Sequence, residues 1–512
     1  MRCMPVRGPI LAALIVLTQI AIQGPASLSS LSPFFPGMAQ AASILPPDFI
    51  ETELGAGYGT LTGFVLLPDG RALLTEKGGR IRIRAVSGAL DTALVVGNVH
   101  TVGEAGVSGI AVDPGWPAKP YIYIHYNRNA PRNLIIARYR ATGDLTNPNS
   151  VNMTLADPYI ILQIDDSFSN HNGGSLEFGP SGLFYASLGD DVLSCVAQDS
   201  TLLKGCIVRL ALDGLPETGS GPAPRGLLVP PGNPFAPDTT GAELVWCFGL
   251  RNPFRFSIDP YTEHLFIGDV GGNSWEEVDI ARGGENFGWP ILEAEVPTGV
   301  GCFQPLPLFK SPILSYFHET SDPTGGVGFY AIIGGPVYRG GPIPQRFPLE
   351  YEGTYFYSDV QKGWIRSARD SAEVWVPNLI SGQPDSVNWA KGLGFVTDLR
   401  QGSDGALYYT TYNGAFRRIS YTLPVSGNPE VPKALPAHQP SLARPNPFQA
   451  GNTTHFTGMT GRLSVFDTMG RLVRRLEKPE WDGLDNAGNR VSPGPYWVVS
   501  SAGERLKTMV VR

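Results

Sequence analysis

Residues 169–191, "SNHNGGSLEFGPSGLFYASLGDD", set His171 before two glycines and end a strand-forming run on two aspartates. A neutral imidazole titrates near working pH, so it can accept a proton without a large pKa shift. A carboxylate delivered at the end of "GLFYASL", at Asp190, can orient such a ring. The glycines remove side-chain bulk and let a flat ligand approach the backbone closely. The same stretch also reads as a tight turn between strands, with His171 a satisfied polar residue. The residues alone leave both readings open.

The elements that must hold these groups are strands. Of 512 residues, 17% are charged, while 62 glycines and 46 prolines make up about a fifth of the chain. That composition suits an all-β protein rich in turns. A net charge of −7, with no basic stripe, argues against nucleic acid and against electrostatic binding to an anionic membrane. Residues 1–41 read as an export signal: Arg2 and Arg7, then the apolar run 10–22, then a small-residue cleavage motif in "GMAQAAS". An uncleaved N-terminal anchor is the alternative. No later segment is apolar enough to span a bilayer, so the mature chain is expected to be periplasmic, cell-surface or secreted.

Cys3 belongs to the signal. Cys195, Cys206, Cys247 and Cys302 remain, and an even number in an exported chain suggests disulfides with three possible pairings. Cys195–Cys206 with Cys247–Cys302 is the first expectation, and free buried thiols are the alternative.

A turn of Asp, Pro and Gly followed by an aromatic and β-branched strand recurs along the chain. It appears in "LLPDGRALLTEKGGRIRIR", "AVDPGWPAKPYIYIHYN", "FGPSGLFYASLGDD", "SIDPYTEHLFIGDVGG" and "QGSDGALYYTTYNGAFRRIS", with a looser sixth copy from "GGPVYRGG" to "QKGWIR". Six four-stranded sheets arranged radially predict a six-bladed β-propeller over residues 46–421; an array of β-sandwiches is the runner-up. Residues 422–440 are proline-rich and read as a linker. Residues 441–512 alternate apolar and polar positions between turns, which predicts a small C-terminal β-sandwich.

Taken together, "NHNGGSLEFGPSGLFYASLGD", "FGLRNPFRFSIDPYTEHLFIGDVGGNSWEEVDIARGGENFGWP" and "GGPVYRG" resemble the glucose/sorbosone dehydrogenase family. That family includes the soluble pyrroloquinoline quinone (PQQ) sugar dehydrogenases and the related domain of hedgehog-interacting protein. The C-terminal segment resembles immunoglobulin-like modules of the flagellar-hook-capping and type IX sorting kinds, through "NPF", "VFDTMGRLVRRL", "WDGLDNAGNRV" and "GPYWVV". The resemblance implies a propeller that oxidises the anomeric hydroxyl of an aldose, passing hydride from C1 to PQQ. His171 is then the general base, Asp190 the group that holds its tautomer, and Arg251 of "GLRNPFR" the cation that meets the quinone. Asn252 and Lys362 fall at cofactor-contacting positions. The family also binds calcium, and "IGDVGGNSWEE" matches the segment whose carbonyls hold it. Gly271 and Gly272 are therefore the expected ligands, with Asp269 beside them. Without the family, Arg251 reads as an ion pair at a blade junction, Asn252 as a turn residue and Lys362 as a loop lysine. Glu276 and Glu277 read as a solvated face.

One departure matters. Where the dehydrogenases carry two arginines that clamp PQQ carboxylates, this chain has Phe395 and Thr397, and Arg400 is out of phase on the strand. Two lost charge-assisted bonds, at roughly 1.5–3 kcal/mol each, would weaken a trianionic ligand considerably. A second reading therefore stands beside the enzyme: a non-catalytic propeller that binds a carbohydrate or protein at the same funnel. The sugar and the electron acceptor are not readable, and no haem attachment motif is present.

Overall fold

The computed structural model describes residues 42–236, 242–302, 308–318, 330–342, 346–371, 374–422, 442–444, 448–457, 463–466, 472–476, 478–500 and 505–511. The expected export signal and nearly all of the expected linker lie outside the described residues. The chain divides into two compact units, Met1–Leu423 and Pro424–Arg512.

The first unit is a six-bladed β-propeller. Each blade is a four-stranded antiparallel sheet, over residues 61–95, 107–165, 176–248, 253–317 and 332–377, with the sixth at 396–421. Every quoted repeat is the turn from an innermost strand to the second strand of its blade. Asp69 shows why the turn chemistry recurs: its carboxylate accepts the backbone N–H of Arg71 across the Pro-Asp-Gly corner. The ring closes when Phe49–Gly55, from the other end of the unit, adds the outer strand to the sixth blade, pairing Phe49 with Tyr421. Closure of this kind leaves few exposed strand edges. Apolar faces of neighbouring blades meet in dry layers, such as Leu73 and Ile81 against Ile110, Ile124 and Ile135.

Because each blade is covered on both faces, its inner strands are buried on both sides. Glu276 and Glu277 were expected on a solvated face, and the structure corrects this: they are 0% and 8% exposed on the third strand of blade 4. Glu276 accepts hydrogen bonds from His318, at 2.8 Å, and from the Ile332 N–H, at 3.0 Å.

The cysteine pairing is also corrected. The disulfide joins Cys195 to Cys302, with Cα atoms 5.5 Å apart, while Cys206 and Cys247 are free and buried. Nearness in sequence misled, because Cys195 sits in one short 3-10 turn, Ser194–Gln198, and a second, Ser200–Leu202, intervenes before the strand Cys206–Leu210. Cys206 then pairs with Phe248 across blade 3 and Cys247 with Ile207, so the two thiols leave opposite faces of the sheet. Among the described residues, no helix is long and apolar enough to cross a membrane.

The second unit holds a three-stranded and a five-stranded sheet. Phe448, Phe456, Val465, Trp481 and Val498 are among the residues of its core. These are the small sheets expected from the alternating pattern.

Candidate active site

All six innermost strands run the same way along the axis, so the loops entering them share one mouth with the loops that leave the second strands. His171 lies in the loop entering blade 3, and Asp190 follows its second strand, Phe184–Leu188. Arg251 and Asn252 enter blade 4, Asp269 ends its second strand, Leu265–Asp269, and Gly271 and Gly272 follow it. Lys362 follows the second strand of blade 5.

His171 Nδ1 stands 2.7 Å from Asp190 Oδ1. A carboxylate only accepts, so the proton sits on Nδ1 and Nε2 of the neutral ring is left basic. Asp190 is fully buried and held from three other sides. It accepts the indole N–H of Trp289 at 2.8 Å and the N–H of Val192 at 2.8 Å, and its own N–H donates to the Arg251 carbonyl at 2.8 Å. The His171 backbone is left-handed, with φ of 59°, and its N–H donates to Glu104 Oε2 at 2.9 Å. Non-glycine residues reach that region seldom, and such strain persists where the surroundings over-determine it.

The neighbouring glycines serve the protein's own packing. A Cβ on Gly173 would meet the Ser187 carbonyl at 2.5 Å, and one on Gly174 would meet Ser108 at 2.7 Å. Close approach is made here to the second strand of blade 3 and to the innermost strand of blade 2.

Asn252 is buried and committed. Its carbonyl accepts the Gly173 N–H at 3.0 Å and its amide donates to Glu104 at 3.1 Å. Asp269 accepts the N–H groups of Arg251 and Asn252 at 2.8 and 2.7 Å. Arg251 is half-buried: one N–H reaches the Val270 carbonyl at 3.0 Å, and the guanidinium lies 5.4 Å from the Trp289 ring centroid. His171, Asp190, Arg251, Asn252 and Asp269 thus form one hydrogen-bonded cluster. Lys362 opens on the same mouth, with Nζ 4.0 Å from the Tyr330 ring centroid, and among the described residues no hydrogen bond joins it to that cluster.

The calcium and quinone expected from the resemblance can be tested against these groups. Glu293 Oε1 accepts four successive N–H groups, from Gly272, Asn273, Ser274 and Trp275. With the N–H groups turned inward, the Gly271 and Gly272 carbonyls engage no hydrogen bond among the described residues, which suits a hard cation. Arg251 and Lys362 suit the oxygens of an anionic quinone. The carboxylate-clamp side does not: Thr397 is buried, its hydroxyl 3.0 Å from that of Thr410. Arg400 lies towards the opposite mouth, bonded to Asp398 at 3.0 Å and Glu177 at 2.5 Å. The fit is good at the base, the cation and the calcium carbonyls, and thin at the clamp.

Sequence reasoning missed Glu104, Trp289, Glu293 and Arg255. Trp289 and Arg255 stand inside the quoted motifs without an assigned part. Glu104, in "GEAGVSG", carries no local signal that separates it from a loop carboxylate.

The family profile described as Glucose / Sorbosone dehydrogenase matches residues 60–341. The HIPL2 protein of Arabidopsis thaliana is 29% identical over 320 residues, 56% of this chain and 44% of that protein, so the match spans under half the relative's length. The aldose sugar dehydrogenase of Escherichia coli is 25% identical over 230 residues, 44% of this chain and 57% of that one. The solved structure of the soluble aldose sugar dehydrogenase from Escherichia coli, in its apo-form, aligns with a TM-score of 0.57 at 20% identity. It covers 73% of this chain and 99% of that one, a likeness of fold. The matched profile takes in more than half of the residues, including the entire His171 cluster, and the chain belongs to the glucose/sorbosone dehydrogenase family.

Proposed function

We propose that this protein is an exported aldose dehydrogenase that oxidises the anomeric C1 hydroxyl of a sugar with PQQ and calcium. The observation that carries the reading is the His171–Asp190 pair, locked by Trp289 with Nε2 left basic, beside a half-free Arg251. When bound, PQQ supplies the two-electron acceptor for the hydride leaving C1. His171 Nε2 takes the proton of the C1 hydroxyl as that hydride departs, leaving a lactone. Asp190 keeps the ring in the productive tautomer and stabilises the imidazolium. Arg251 faces the negative charge that gathers on oxygen, and its guanidinium suits two adjacent acceptors. Gly271 and Gly272 would hold calcium through their carbonyls, and Lys362 would meet a cofactor carboxylate.

The test is reconstitution: purified chain, PQQ and calcium chloride, with dye reduction followed for several aldoses. Sugar-dependent reduction that disappears in His171→Ala supports the reading. No bound quinone after desalting, together with no dye reduction, removes it.

A second reading is favoured by one observation. Glu104 places a carboxylate in the mouth where a trianion would sit, and no arginine answers it at positions 395 and 397. On that reading the propeller binds a neutral carbohydrate or a protein loop without redox chemistry. On either reading, residues 1–41 serve export and the C-terminal unit serves surface attachment or sorting.

A further inference from the structure

The propeller axis has a second mouth, at the far ends of the innermost strands. The last residues of those strands in blades 1, 4, 5 and 6, with Glu177 from blade 3, line a cavity of about 410 Å³ there. The strand Pro253–Ile258 shows the separation: Arg251 precedes it at the His171 mouth, and Ile258 ends it at this one. The volume falls within the range of about 300–1,000 Å³ that small-molecule sites occupy.

Apolar residues from four blades, Leu66, Ile258, Val337 and Leu399, share the lining with two guanidiniums and two carboxylates. The charges cancel. Arg400 bonds Asp398 at 3.0 Å and Glu177 at 2.5 Å, and Arg339 forks onto Asp259 at 2.7 Å to each oxygen. Yet the floor is not used up. Among the described residues Arg400 Nη2 donates no hydrogen bond and Glu177 Oε2 accepts none, while the two side chains remain 17% and 25% exposed.

A donor edge beside an acceptor oxygen fits a ligand group that accepts and donates at once, and a hydroxyl does both. An anion would meet a guanidinium that already carries two carboxylates, and a cation would have to take those carboxylates from Arg400. We propose that this cavity binds a neutral saccharide, with hydroxyls on Arg400 and Glu177 and C–H faces against Leu66, Ile258, Val337 and Leu399. The lining has no histidine, so a sugar held here lacks the imidazole base that the other mouth supplies. This is a binding site, and it does not rest on the dehydrogenase reading.

The experiment uses the full chain without quinone. Methyl α-glucoside, trehalose and sucrose are titrated and binding is followed by saturation-transfer NMR. None of the three has a free anomeric hydroxyl, so none is a substrate for the proposed reaction at His171. At least one is expected to bind, with its affinity kept in His171→Ala and weakened about tenfold or more in Leu66→Trp, which fills the cavity. Glu177→Gln turns the free acceptor into a donor at nearly constant shape, and it is read in the same way if Leu66→Trp does not fold. Binding of none of the three sugars overturns the proposal. So does an affinity that survives the filled cavity, or one lost in His171→Ala, which would put the sugar at the other mouth. Tighter binding of the methyl glucuronide anion than of methyl α-glucoside would overturn the neutral assignment. Dye reduction plays no part, so failure here leaves the His171 reading standing, and an inactive dehydrogenase that still binds one of these sugars leaves this site standing.

Discussion

Arg251 and Arg255 stand four residues apart in "GLRNPFR", one at the mouth of the propeller and one on its axis. Arg255 is 2% exposed and spends its guanidinium on backbone carbonyls from four blades. These are Thr397 at 3.1 Å, Ser108 at 2.9 Å, Phe254 at 2.8 Å and Thr62. Asp398 supplies the counter-charge at 3.8 Å. Among the described residues Arg251 makes one side-chain hydrogen bond and has an aromatic face beside it. The same residue type thus closes the hub where each of its three nitrogens is bonded to protein, and offers itself to a ligand where that is not so. Satisfaction of donors separates the two, and burial accompanies it.

The largest effect should come from breaking the hub. Arg255→Met strands four carbonyls and leaves Asp398 short of a partner in a buried site, which should cost about 3–5 kcal/mol. Arg251→Met should change stability by about 1 kcal/mol or less while removing activity. Urea unfolding of both variants tests the contrast. Equal losses of stability would mean that Arg251 is a second structural tie and not a free cation.

At the mouth, His171→Ala and Asp190→Asn should each lower kcat by about 10²–10⁴-fold. His171→Ala should do so with its melting temperature nearly unchanged. Asp190→Asn should also lose stability, because Trp289 and Val192 share that carboxylate. If sugar-dependent turnover survives His171→Ala, the base lies elsewhere.

How much of this was legible follows from the same distinction. Most blades could be read because they repeat a turn whose aspartate serves its own backbone, as Asp69, Asp113, Asp259 and Asp404 do, a local rule with a local signal. His171 and Asp190 could be read because both lie within one hairpin. The clusters that draw on distant loops were opaque. Nothing near Glu104 announces that it meets His171 and Asn252, 67 and 148 residues away. Cys195 and Cys302 close across 107 residues. Glu276 and Glu277 looked exposed because strand alternation identifies faces but does not tell that both faces of a blade are covered.

Glu104 sharpens the comparison further, since it is the carboxylate that separates an anion-binding mouth from a neutral one. Glu104→Gln keeps an acceptor for the His171 N–H and removes the charge. At an effective dielectric of about 20, that should tighten quinone binding about tenfold, or about 1.4 kcal/mol. Fluorescence titration with PQQ reads it directly. Unchanged affinity would indicate that the mouth does not receive an anion beside Glu104, and would favour the non-catalytic reading.

The smallest effect returns to the hub. His125 is fully buried, with Nδ1 2.6 Å from the Ser108 hydroxyl and Nε2 unpartnered among the described residues. Burial first, and then the Arg255 charge, push its pKa down to about 3. The folded protein therefore holds His125 neutral where the unfolded chain, with an ordinary value near 6.5, takes up a proton. Its contribution is present above about pH 6.5 and is lost as pH falls towards 3. Asp359 works the other way, its pKa raised to about 6 by burial and then by Glu276, so its contribution fades as pH rises through that value. The two slopes oppose each other between about pH 4 and 6, which hides His125 in the parent curve. His125→Gln exposes it: parent stability relative to the variant should fall by about 1 kcal/mol from pH 6.5 to 5.5. Parallel curves would mean that the hub admits a proton despite Arg255, and the contrast between a sealed axis and an open mouth would lose its physical basis.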